Sequence, residues 1–131
     1  MTGEERSNAR FSPLPRCRVP RISSHDESNI REELRRILNR AKSVASGERD
    51  DFFDGDASYD IASMVINRLA SLTERSEFEP WAQVLSRDEL AAIRAIRNIA
   101  AHAGYAVMND DLFWDAVTVR VPEIIERLLR R

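Results

Sequence analysis

Lysine is nearly missing from this 131-residue chain: Lys42 stands alone, and almost all the positive charge is arginine. Arginine favours bidentate contact with phosphate, but GC-rich coding produces the same bias, so the bias alone carries no weight. Cysteine is scarcer than in any disulfide scaffold. Cys17 is the single one, which excludes an intramolecular disulfide and a cysteine-rich zinc site. A large excess of charge is also missing. The formal net charge is −2, so the chain is no strongly basic nucleic-acid binder, and any RNA contact must use a local patch. No apolar run is long enough to span a bilayer, and the N-terminus lacks the apolar core of a signal peptide. A cytoplasmic protein without membrane contact is the expectation. There are only four glycines and no strand-like alternation of any length, which predicts an all-α protein.

What is present organises into a tail and one helical domain, because the chain is long enough for a single modest core. Residues 1–26 read as a disordered, basic tail interrupted by Pro13, Pro15 and Pro20. Arg6, Arg10, Arg16, Arg18 and Arg21 make it basic, so it could also serve as an arm for RNA or a partner. Residues 27–131 read as an antiparallel bundle of four to five helices.

The first helix is expected over about Glu27–Ser46, capped by Asp26 or Ser28. Ile30, Leu34, Ile37, Leu38, Ala41, Val44 and Ala45 share one face at helical spacing. Glu48–Asp56 is an acidic loop without the glycine position or distal glutamate of an EF-hand, so calcium is not expected. Phe52 and Phe53 are expected to plug the bundle end. A second helix is expected from Ala57 to Arg75, with Ile61, Met64, Val65, Leu69 and Leu72 as its apolar stripe and Tyr59, Asn67 and Arg68 as polar interruptions. Trp81, Val84 and Leu85 should dock a connector on the core. Ser86-Arg87-Asp88-Glu89 is a capping box that starts the next long helix. Asn109 or Asp110 should cap the last helix. Its face runs from Leu112 and Phe113 through Val117, Val121 and Ile124 to Leu129, and Pro122 must kink or split it. That face is wider than one small bundle needs, which points towards a dimer.

The stretch that carries chemistry is Arg94-Ala95-Ile96-Arg97-Asn98-Ile99-Ala100-Ala101-His102-Ala103-Gly104-Tyr105. On a helix, Arg94, Asn98 and His102 form one polar stripe with Arg97 about 60° aside. Gly104 is placed to end the helix. A histidine at a helix C-terminus is pushed towards its charged form by the dipole, and nearby arginines oppose that. Arginine forks suit phosphate oxygens, and histidine moves protons near neutral pH. Such a pair can cleave RNA without metal or other cofactor, because the ribose 2′-OH is an internal nucleophile. The plain alternative is a polar helix face ending in a histidine.

From about residue 29 to 131 the chain resembles the HepT-like branch of the HEPN superfamily, most specifically in its C-terminal third. That family shows an arginine, a polar residue, three more residues, a histidine, and a tyrosine close behind. Arg97 and His102 match this Arg-x4-His core. Asn109 matches a following helix cap, Trp114 the family tryptophan, and Val121-Pro122 a late proline step. The family order His-x-Tyr is one residue longer here. The resemblance implies a ribonuclease toxin of a HEPN/MNT toxin–antitoxin pair, acting as a homodimer in which two Arg-x4-His motifs meet. Arg97 and His102 would be catalytic, and Asn98 and Arg94 would orient the RNA. The implied partner is a minimal nucleotidyltransferase antitoxin, which would add AMP to Tyr105 or cover the site. The alternative is a non-catalytic helical subunit that binds a nucleotide or a nucleotidyltransferase.

Overall fold

The computed structural model describes residues 24–100 and 108–131. All regular structure among them is helical, and the helices form a bundle, as the composition predicts. The tail expectation falls outside the described residues up to position 23.

Helix α1 spans Ser24–Ala45. It starts a few residues before the expected Asp26 or Ser28 cap. Ile30, Leu34, Ile37, Leu38, Ala41 and Val44 are buried along one side. Ala45, at the C-terminal end of the stripe, is exposed. On the outer side Glu27 pairs with Arg31 and Glu32 with Arg36, one turn apart.

The acidic loop folds into a single 3-10 turn, Arg49–Asp51. Gly55 then takes a φ of 112°, a conformation that costs a side-chain-bearing residue far more. Asp56 caps α2 (Ala57–Thr73) by accepting from the Ser58 amide at 2.9 Å. Two hydrogen bonds from Ser58, the hydroxyl first, hold the Asp56 carboxyl below its ordinary pKa. Helix α2 runs antiparallel to α1. Glu33 meets Arg68 with two hydrogen bonds of 2.8 Å, and further along Arg40 and Ser43 line a recess with Asp60 and Met64. Arg68 is therefore a strut between the helices.

The bundle end is closed by Phe52 but not by Phe53. Phe52 is fully buried, whereas Phe53 is 49% exposed. Phe52 packs on Tyr59, Phe113 and Trp114 with ring centroids 4.8, 5.4 and 5.2 Å away. Tyr59 is no polar interruption. Its ring is completely buried, and its hydroxyl donates to Asp110 at 2.8 Å. A buried phenol needs such a partner.

A 3-10 turn (Ser76–Phe78) and the short helix α3 (Glu79–Ala82) form the connector. Phe78, Trp81 and Leu85 are buried, as a docking connector requires. The Trp81 ring is flanked by the guanidinium groups of Arg31 and Arg131, at 4.9 and 4.7 Å.

Helix α4 spans Arg87–Asn98 and begins with the complete capping box. The Ser86 hydroxyl accepts from the Glu89 amide at 3.0 Å, and the Ser86 amide donates to the Glu89 carboxylate at 2.8 Å. Ile93 is its one fully buried residue; Ile96 is half-buried. Helix α4 packs along α2.

The C-terminal run is split, as Pro122 requires. Helix α5 (Asp110–Asp115) is capped by Asn109, which accepts from the Leu112 amide at 3.1 Å. A π-helical turn follows over Ala116–Arg120, then α6 over Val121–Leu129. Pro122 has no amide hydrogen and its ring crowds the carbonyl one turn back. The chain answers with a wide turn in which the Val121 amide donates to the Ala116 carbonyl, five residues earlier. Phe113, Val117, Val121, Ile124, Ile125 and Leu128 are buried. Leu112, expected on that face, is 68% exposed because its cap geometry turns it outward. Among the described residues no helix is long and apolar enough to cross a membrane.

Candidate functional site

The last turn of α4 and the end of α2 meet at one point of the surface. Ile93 anchors α4 on the core, and the opposite side of the same turn carries Arg94, Arg97 and Asn98. Arg94 and Asn98 are exposed, and Arg97 is about three-quarters covered, with 24% of its side chain accessible. The helix leaves α geometry after Asn98, and Ile99 and Ala100 form a wider, π-type step. Both are half-buried, so the apolar side of the stretch faces inward as helical spacing predicts.

Arg97 holds a carboxylate. Its Nη2 donates to Glu74 Oε2 at 2.9 Å, and its Nε donates to Asn98 Oδ1 at 3.3 Å. Glu74 is the C-cap residue of α2. The hydrogen bond from Arg97 and the charges of Arg97 and Arg94 hold its carboxyl below the ordinary value. The same bond raises the Arg97 guanidinium above its own. Two arginines thus share one glutamate, and the cluster keeps a net charge of one positive unit. The negative end of the α2 dipole adds further attraction for these cations.

The structure therefore brings together three of the residues chosen from sequence: Arg94, Arg97 and Asn98. His102 and Tyr105, with Gly104 between them, lie outside the described residues. Glu74 is the residue that sequence reading missed. It stands 23 positions before Arg97, on the far side of a connector whose path only tertiary packing decides. Its one sequence signal is its place near the expected end of the second helix, where an acid is unusual because the dipole repels it.

In chemical terms the cluster is an anion fork already loaded with an anion. This carboxylate–guanidinium pair lies at the surface, where water and salt screen it. A phosphate diester offers two non-bridging oxygens to the same guanidinium and can compete for it. Among the described residues no group of three or more histidine, cysteine, aspartate or glutamate side chains is placed to hold a metal ion.

Asn67, which could have faced the same stretch, is exposed on α2, and its neighbour Arg68 is committed to Glu33. Trp114 is half-buried and lies edge-on to Phe52, so it serves as packing. No family model, curated protein or solved structure matches this chain.

Proposed function

We propose that the protein is a metal-independent endoribonuclease toxin of the HepT-like HEPN type. The observation that carries this reading is the Arg97-x4-His102 spacing in the sequence, taken with the gathering of Arg94, Arg97 and Asn98 at the last turn of α4. Arg97 would stabilise charge on the scissile phosphate, releasing Glu74 as RNA enters. His102 would move the proton as the ribose 2′-OH attacks phosphorus and the 5′ oxygen leaves. Asn98 and Arg94 would orient the substrate. One arginine and one histidine make a thin site, so the reading includes a homodimer that doubles them.

The same reading supplies a nucleotidyltransferase antitoxin as partner and Tyr105 as the target of AMP transfer. A modified Tyr105 would set negative charge and bulk beside His102 and Arg97 and block phosphate binding. A cytoplasmic location follows from that partnership.

A second reading is a non-catalytic helical subunit that binds a nucleotide or a nucleotidyltransferase. The Glu74–Arg97 pair favours it, because a guanidinium that already holds a carboxylate can exchange it for an anionic group of a partner without any proton transfer.

The deciding experiment is RNA cleavage by the purified protein in the presence of chelator, beside His102→Ala. Cleavage that survives chelator and is lost in the variant is the expected outcome. Absence of cleavage, or equal cleavage by both proteins, rejects the enzyme and leaves the binding subunit.

A further inference from the structure

The bundle is open along the seam between α4 and α6. A groove of about 240 Å³ lies there, floored by Ile66, Ile93, Ile96 and Ile124. Its mouth carries Asp88, Glu89 and Glu123 against a single cation, Arg120. Glu89 is matched by Arg127 at 2.6 Å and Arg120 by Asp115 at 3.6 Å. The charge left at the mouth is that of Asp88 and Glu123. An apolar floor under an acidic rim calls for an occupant that is apolar and cationic.

The chain contains such a segment. From Arg6 to Ile22 there are five arginines and no acid. At its centre is Arg10-Phe11-Ser12-Pro13-Leu14-Pro15-Arg16. Pro13 and Pro15 favour the polyproline II form, which has three residues per turn. In that form Phe11 and Leu14 share one edge, while Arg10 and Arg16 fall on another. We propose that this arm lies in the α4–α6 groove of its own chain, with Phe11 and Leu14 on the isoleucine floor and the arginines at Asp88 and Glu123.

Position supports the same occupant. Helix α1 begins at Ser24, and Arg31, two turns on, donates to the Leu129 carbonyl at the end of α6. Arg127, two residues before Leu129, meets Glu89 at the start of α4. The arm thus enters the fold at the end of the groove that holds the acidic rim. Seven residues lie between Arg16 and Ser24, and the eight steps are enough to span about 25 Å. A second copy is a poorer fit, because a two-fold contact through this groove would set Asp88 and Glu123 against the same acids.

The test uses the full chain with a nitroxide on Cys17, the one cysteine, three residues beyond Leu14. Methyl spectra of the isoleucines are recorded in dilute solution. Loss of the Ile93, Ile96 and Ile124 signals, with Ile61 on the α1-facing recess retained, is the expected result. The signals should return in Asp88→Lys/Glu123→Lys, whose sites are exposed, and also in about 1 M salt, where screening acts within about 3 Å. Unaltered Ile37 signals would show that the variant keeps its fold. Three outcomes overturn the proposal: no signal loss, loss only when labelled and unlabelled copies are mixed, or a groove covered in a dimer while the arm stays distant.

Discussion

Phe52 and Phe53 are chemical equals in adjacent positions, and the fold treats them oppositely. Phe52 fills the space between Tyr59, Phe113 and Trp114, so Phe52→Ala should cost about 3–5 kcal/mol in denaturant unfolding. Phe53→Ala should stay within about 0.5 kcal/mol, as for other exposed positions. A reversed order would mean that the bundle end is closed differently. Sequence patterning marks that an aromatic pair follows an acidic loop. It has no means of saying which of two consecutive rings turns inward, because a loop has no period. Tyr59 was hidden for a related reason. Its hydroxyl suggests a surface, and only Asp110, 51 positions later, makes burial tolerable. Glu74 shows the same limit at the candidate site: Arg94, Arg97 and Asn98 share a helix and could be read together, but their carboxylate partner comes from another helix.

At the level of elements, the legible features are those with a local rule. The capping box was legible because Ser86 and Glu89 obey a spacing that needs no tertiary information. Glu89 also reaches Arg127 on α6 at 2.6 Å, a second duty that spacing does not reveal. The two duties separate by substitution. Glu89→Gln keeps an oxygen for the Ser86 amide and loses the ion pair, and should cost less than about 1 kcal/mol because both groups are partly exposed. Ser86→Ala removes the other half of the box and should cost about 1 kcal/mol. Glu89→Ala loses both duties and should exceed Glu89→Gln. Equal effects of the alanine and glutamine variants in thermal unfolding would show that the box contributes nothing. The helix break at Pro122 was equally legible. Its form, one wide turn instead of a kink, was not, since that depends on what the flanking apolar residues must face.

For the molecule as a whole, three carboxylates tie elements together or cap them: Asp56, Glu74 and Glu89. Hydrogen bonds from Ser58, Arg97 and Arg127 respectively hold each below its ordinary value, 3.8 for Asp56 and 4.5 for the glutamates. The folded state therefore binds fewer protons than the unfolded chain in acid. Their contribution is complete above those ordinary values and is lost as pH falls through the lower folded ones. The thermal midpoint should be level near neutrality and should begin to fall below about pH 5, where unfolded carboxylates begin to take up protons. Glu89→Gln should flatten that fall. A midpoint that declines instead between pH 6 and 8 would contradict this account. The wide turn before Pro122 has its own consequence at this scale. Phe113, Val117, Val121 and Ile125 are all buried, and they recur every fourth residue. An ordinary helix would advance about 40° too far at each such step, or about 120° over the three. One turn with an extra residue takes up most of that excess. The π turn is a phase correction: it lets a strict four-residue rhythm stay in step with a bundle of ordinary helices. Deleting a single residue from it would rotate everything downstream away from α1.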